Sequence, residues 1–94
     1  MHSENRVWGV AKNPYDKTRS CGGSSGGDAG LVSSRCVPLA FGADIGGSIR
    51  IPAHFNGLRA IRPSPWRVPQ GLIRALPGNF SPLSQIKSCI GPLG

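Results

Sequence analysis

Two glycine-rich serine segments, separated by an apolar stretch, constrain this chain more than any other feature. The first reads GGSSGG at residues 22–27 and the second reads DIGGS at residues 44–48. Both are rich in the residue that tolerates tight turns, and neither carries side chains that would fill a large core. The stretch between them contains a short apolar run at residues 37–43, which predicts a buried strand. The chain is therefore expected to alternate turns with short helices and strands.

A helix is expected directly after the first serine segment. Ser25 and Asp28 have the spacing of a capping box, with Asp standing in for Glu. The helix is expected to end near Arg35.

The rest of the chain predicts another short helix, another strand and a proline-rich extension. The helix is expected at residues 52–55, since proline is tolerated in a first turn, and the strand at residues 57–61. Residues 64–94 form a loop-rich extension by composition, although residues 89–94 resemble a buried strand and turn. This order of elements predicts an α/β fold, in which a mixed β-sheet is flanked by helices.

Composition argues against a fold that is complete on its own. Glycine contributes 14 residues and proline 9, and only 38% of the chain is hydrophobic. Because ordering the chain costs roughly 1–2 kcal/mol per residue, a small apolar core would barely offset the lost entropy. Trp8, Trp66 and Phe80 are expected to be packing groups and not a substrate cage, although Trp66 could line a pocket. The chain is interpreted as a fragment of a larger domain.

The net charge of +7 raises the question of a nucleic-acid partner. The eleven Lys and Arg residues are scattered, however, and no aromatic stripe lies among them to stack on bases. A basic nucleic-acid-binding module stays an alternative, but no nucleic acid is expected.

Three cysteines, Cys21, Cys36 and Cys89, have neither a CxxC pair nor metal-ligand spacing. Neither a disulfide framework nor a zinc site is therefore expected, and a reducing environment is the default. The chain shows no signal peptide and no apolar run long enough to cross a bilayer. A cytoplasmic location is expected, or attachment to an intracellular membrane through other segments.

The two serine segments suit nucleophilic catalysis. A nucleophilic hydroxyl must project from a rigid turn, with backbone N–H groups nearby that can hold an oxyanion. Gly46 and Gly47 lack Cβ atoms, so the amides beside Ser48 can approach a substrate carbonyl closely. Taken alone, the first segment reads as a flexible linker and the second as an ordinary turn. Their joint occurrence, with apolar sequence between them, argues against a linker.

The two segments and their flanks resemble the amidase signature. The resemblance covers residues 13–63 and is carried by NPYD at residues 13–16, GGSSGG at residues 22–27 and DIGGSIRIPA at residues 44–53. That family includes fatty acid amide hydrolases, the glutamyl-tRNA amidotransferase A subunit and malonamidase. The resemblance implies hydrolysis of a small linear amide, a fatty acid amide being the first expectation, without a metal or an organic cofactor.

The resemblance also implies a role for each matching residue. Ser48 matches the nucleophile that attacks the amide carbonyl. Ser24 matches the bridging serine, which relays a proton between the nucleophile and a lysine and follows a cis peptide bond. The segment that matches the oxyanion hole consists of Ile45, Gly46, Gly47 and Ser48.

Three further residues match supporting positions, and one expected residue has no match. Asp44 and Arg50 match a structural ion pair, and Ser25 matches a supporting hydroxyl and helix cap. The base of the family is an unprotonated lysine at a position that falls before the first residue of this chain. Lys12 and Lys17 lie in the turn region, which is not the base position. The 94-residue piece alone is therefore expected to be inactive, and a truncated, catalytically inactive remnant or isoform is the alternative interpretation.

Overall fold

A computed structural model of the chain describes residues 1–69 and 88–94. Its elements in chain order are strands β1 (Glu4–Asn5) and β2 (Gly9–Val10), helix α1 (Gly26–Ser33), strand β3 (Ala40–Asp44), helix α2 (Arg50–Phe55) and strand β4 (Cys89–Leu93). The part of the predicted loop-rich extension at residues 70–87 lies outside the described residues. Across the two described ranges, no helix combines the length and the apolar content needed to cross a bilayer.

The two N-terminal strands form a short antiparallel hairpin. Asn5 of β1 lies opposite Gly9 of β2. The Asn5 side chain also holds the connection, because its Oδ1 accepts hydrogen bonds from the N–H groups of Val7 and Trp8 at 3.0 and 2.8 Å. Among the described residues this hairpin is a sheet of its own, separate from the pair formed by β3 and β4.

Strands β3 and β4 pair antiparallel and connect distant parts of the chain. Ala40 lies opposite Leu93, and Asp44 lies opposite Cys89. The strand expected at the end of the chain is thereby confirmed. The strand predicted at residues 37–43 starts three residues later, at Ala40, because the last residue of β4, Leu93, lies opposite Ala40. The α/β character of the chain is confirmed, with helices α1 and α2 beside this sheet.

The segment after α2 follows the other edge of β4 without forming a strand. Arg59 exchanges two backbone hydrogen bonds with Gly94, at 2.8 and 2.9 Å. Ala60 forms an isolated bridge with Leu93. The strand predicted at residues 57–61 is therefore reduced to one bridge. Ile61 donates its N–H to the Pro92 carbonyl at 3.2 Å, but Pro92 has no N–H with which to return the hydrogen bond.

The core is small and lies beneath the second serine segment. Ala29, Ile49, Ala53 and Leu93 form one buried cluster, and each is at most 3% exposed. Two of these four side chains are single methyl groups, so the cluster removes little apolar area from water. Because Ile49 directly follows Ser48, this core also anchors the predicted nucleophile.

Candidate active site

The two serine segments lie side by side. The N–H of Ser25 donates a hydrogen bond to the carbonyl oxygen of Ser48 at 3.0 Å. The peptide bond between Gly23 and Ser24 is cis, as the resemblance implied. Ser48 is 6% exposed, whereas Ser24 is exposed. The backbones of the predicted nucleophile and of the loop that carries the bridging serine are thus neighbours.

Two asparagines hold the first segment against the end of α2. Asn56 donates from Nδ2 to the Cys21 carbonyl at 2.8 Å, and Asn13 donates from Nδ2 to the Phe55 carbonyl at 2.8 Å. Gly22 packs so closely on this helix that a Cβ there would lie 3.2 Å from the Phe55 ring. Neither asparagine was predicted to support the site. The NPYD motif is a sequence signal for Asn13, whereas a single asparagine after a short helix carries no signal of the contact that Asn56 makes.

A buried carboxylate organises the second segment. Asp44 is 0% exposed. Its oxygens accept hydrogen bonds from the N–H groups of Gly47, Ile49 and Arg50 at 2.8, 3.0 and 3.3 Å. The N–H groups at the start of a helix lack partners within it and favour an anion. Helix α2 therefore begins at Arg50, two residues before the predicted start, with Asp44 bound to its first N–H groups.

Two arginines balance the charge of this carboxylate. Arg50 donates from Nε at 3.1 Å and from Nη2 at 2.9 Å, one bond to each oxygen of Asp44. Arg62 brings its Nε to 3.3 Å from Oδ1 of the same carboxylate. The predicted pair of Asp44 and Arg50 is therefore present, and Arg62 joins it. Arg62 was missed because it lies beyond α2, where sequence spacing carries no signal of the contact.

The surroundings keep Asp44 ionised. Burial by itself would raise the pKa of Asp44, but the hydrogen bonds from Arg50 and from the N–H groups of Ile49 and Gly47 outweigh burial and lower that pKa well below its usual range. The same contact raises the pKa of Arg50. The turn is thus built around a permanent negative charge.

The four residues of the predicted oxyanion-hole segment have different surroundings. The N–H of Gly47 is donated to Asp44, so Gly47 shapes the turn and its N–H is already engaged. Its φ of +121° is one that L side chains rarely adopt. Ile45 and Gly46 are exposed, and a Cβ at Gly46 would meet no described atom within 4 Å. Within residues 1–69 and 88–94, the N–H groups of Ile45, Gly46 and Ser48 make no hydrogen bond of this kind to Asp44, and the oxyanion-hole role of the segment stays a prediction.

The start of α1 corrects the predicted capping box. Ser25 occupies the N-cap position, but its side chain makes no capping hydrogen bond within the described part of the chain. The Ser25 hydroxyl packs instead against Gly42. The N–H of Gly26 donates to the hydroxyl of Ser3 at 2.9 Å. The sequence alone did not point to Ser3, because it lies 23 residues before the N–H that it binds.

Neither nearby lysine has the surroundings of a catalytic base. Lys12 and Lys17 are both exposed, whereas a lysine becomes a base through burial or a neighbouring cation. A cleft of about 590 Å³ opens near the first segment and is lined by Asn13, Arg19, Ser20, His54 and Phe55. Ser24 and Ser48 are not among these lining residues, so we do not assign this cleft as the substrate pocket.

The fold and the site together define a class of protein. Two glycine-rich turns, each at the start of a helix, place their serine-bearing backbones next to each other in an α/β arrangement, and such an arrangement suits an enzyme with a serine nucleophile. The chain belongs to the amidase family, whose model, described as Amidase, matches residues 1–94.

Individual relatives support this membership. Amidase FG08078 from Gibberella zeae is 54% identical over 71 residues, which cover 76% of this chain and 13% of that protein. Indoleacetamide hydrolase from Pseudomonas syringae pv. syringae is 45% identical over 92 residues, covering 97% of this chain and 19% of the relative. A solved structure of fatty acid amide hydrolase matches with a TM-score of 0.81 and 34% identity, covering 99% of this chain and 16% of the other. The chain thus spans less than one fifth of the length of these three relatives.

Proposed function

We propose that this chain supplies the nucleophile and the bridging serine of an amidase that hydrolyses linear amide bonds. The hydrogen bond from the Ser25 N–H to the Ser48 carbonyl carries the proposal, because it brings the two predicted serine segments together. Membership of the amidase family supports the reaction class.

In the proposed reaction, the Ser48 oxygen attacks the carbonyl carbon of the amide. The hydroxyl proton of Ser48 passes to Ser24, and the proton of Ser24 passes to the unprotonated lysine that the family uses. The proton then returns to the leaving amine as the carbon–nitrogen bond breaks, which leaves an ester between the acyl group and Ser48. Water hydrolyses that ester and restores the serine.

Negative charge builds on the substrate oxygen in this reaction. The N–H groups of Ile45, Gly46 and Ser48 are the proposed donors to that oxygen, while Asp44, Arg50 and Arg62 hold the turn that presents them. Fixed donors of this kind lower the barrier because they need no reorganisation when the charge develops.

The substrate is proposed only as a class. Relatives named for indoleacetamide and for fatty acid amides both match this segment. The segment therefore holds the machinery common to these proteins, and the acyl group of the substrate must be selected elsewhere. A fatty acid amide is one member of the proposed class.

A graft tests the proposal. The whole 94-residue chain replaces the matching segment of the indoleacetamide hydrolase from P. syringae pv. syringae, which supplies the remaining four fifths of an amidase. The grafted enzyme is expected to hydrolyse indoleacetamide and to be labelled by a fluorophosphonate on Ser48. Ser48→Ala is expected to lower kcat by about 10⁴-fold or more and to abolish labelling. Ser64→Ala, at an exposed loop serine, is the matched control.

Two outcomes would contradict the proposal. Labelling at a residue other than Ser48 would reject the assigned nucleophile. A folded but inactive graft would favour the alternative, a remnant that has lost catalytic competence. The separate 94-residue chain is expected to show no activity, because no residue of it matches the lysine base.

A further inference from the structure

The loop that carries Ser24 is held by a residue far away in the sequence. The hydroxyl of Ser3 donates a hydrogen bond to the Ser24 carbonyl at 2.7 Å and accepts one from the Gly26 N–H at 2.9 Å. One side chain therefore spans the peptide units on both sides of Ser25. It binds the carbonyl of the bridging serine and an otherwise unpartnered N–H at the start of α1 at the same time.

Glycines make room for this contact. A Cβ at Gly26 would lie 2.6 Å from the Ser3 hydroxyl oxygen, and a Cβ at Gly23 would lie 2.5 Å from the carbonyl carbon of His2. Atoms that close could not coexist, so two glycines of the GGSSGG segment accommodate the N-terminal residues. This role accounts for Gly23 and Gly26 without invoking a linker.

Ser3 is itself held in place by the hairpin. Its carbonyl accepts a hydrogen bond from the Ala11 N–H at 2.8 Å. The next two residues, Glu4 and Asn5, pair with Val10 and Gly9. The hydroxyl is therefore presented from an ordered element, and the hairpin acts as a brace for the loop.

We propose that Ser3 is a positioning residue for the bridging serine, acting through the Ser24 carbonyl. This inference rests on the proposed role of Ser24. A proton relay works only while its members keep hydrogen-bonding distance, and a displacement of about 1 Å can cost about 10²-fold in rate. Anchoring the carbonyl of Ser24 restrains the backbone from which its hydroxyl projects.

Three variants of the grafted enzyme test this role. Ser3→Ala is expected to lower kcat by about 10²-fold with little change in KM, because the substrate is not contacted. Ser3→Thr keeps the hydroxyl and is expected to restore most of the rate. Ser34→Ala is the control, because Ser34 also bonds α1, through its hydroxyl to the Gly30 carbonyl at 2.6 Å, but at the far end of the helix. It is expected to keep the kcat of the graft.

Hydrogen exchange separates this proposal from the proposed function. Amides of residues 24–27 are expected to exchange faster in Ser3→Ala than in the unsubstituted graft. Unchanged exchange would overturn the brace whether or not the graft is active. An unchanged kcat in Ser3→Ala, or an equal loss in Ser3→Thr, would overturn the positioning role while leaving Ser48 as nucleophile. If the unsubstituted graft is inactive, the proposed function fails and the positioning role fails with it, and exchange then reports only on loop structure.

Discussion

Asp44 shows how a single residue can determine the shape of the turn at residues 44–48. Its carboxylate accepts three backbone N–H groups and contacts two arginines, although it is fully buried. A buried charge is tolerated only when it is paired and hydrogen bonded. Asp44 meets both conditions, so the turn and the start of α2 depend on its ionisation.

This ionisation predicts a pH dependence of stability. Because the folded-state pKa of Asp44 is lowered, its contribution is fully present above the unfolded value of about 3.9 and is lost as the pH falls toward the folded value. The urea midpoint of the graft is expected to fall below about pH 4. Asp44→Asn should flatten this fall and cost about 2–3 kcal/mol at neutral pH, less than a fully buried pair, since Arg50 is half exposed.

Asp28→Asn is the matched control for Asp44. Asp28 lies in the first turn of α1, where a carboxylate contributes only about 0.3–1 kcal/mol. If the urea midpoint falls equally steeply below about pH 4 in Asp44→Asn and in the parent graft, other groups control the pH dependence.

At the residue scale, the predicted contacts are those between residues that lie close together in the sequence. The pair of Asp44 and Arg50, which the family resemblance implied, forms between residues only six apart, at the end of β3 and the start of α2. Arg62 and Ser3 reach the same site from other elements, and their contacts depend on how those elements pack. A single sequence has no periodicity that reveals such contacts.

At the scale of the element, the two glycines of the turn at residues 44–48 differ in backbone conformation and in surroundings. Gly47 has a positive φ, and a Cβ there would lie 2.8 Å from Cδ1 of Ile51, whereas the position beside Gly46 is open. Gly47→Ala is therefore expected to destabilise the graft by about 1–3 kcal/mol. Gly46→Ala should leave the urea midpoint nearly unchanged but lower kcat, since its methyl group would enter the proposed oxyanion site. Equal midpoints for the two variants would contradict this division.

Element boundaries depended on interactions that sequence patterns do not contain. Helix α1 was predicted with its own capping box, yet the distant Ser3 hydroxyl binds its first N–H. Strand β3 was predicted from its apolar run, yet its limits follow the register of β4. The existence and type of these elements were predictable, because glycine, proline and apolar residues act locally.

At the scale of the whole molecule, the chain exposes apolar side chains that a complete domain would cover. Trp8 and Trp66 are 85% and 70% exposed, so the burial expected of packing groups is not seen for either side chain in this chain. Phe41 and Ile61 are 59% and 63% exposed. Two-stranded sheets are marginal by themselves, and the core cluster found in the described part of the chain contains four buried residues.

The isolated chain is therefore expected to lack a cooperative transition. Circular dichroism should change gradually with temperature, and the dye ANS should bind at the exposed apolar surface. In the graft, the indoleacetamide hydrolase supplies the rest of an amidase. The graft is therefore expected to unfold in a sharp thermal transition. A sharp transition of the isolated chain without dye binding would show that these 94 residues form a stable unit.

The pairing of Asp44 with Cys89 has a consequence for synthesis. At about 5–20 residues per second, the ribosome synthesises residues 40–44 several seconds before strand β4, with which they pair. During that interval the edge of residues 40–44 is open to any other extended peptide. Protection of this edge in the nascent polypeptide, by a chaperone or by transient local contacts, would therefore affect how many newly made chains reach the paired state.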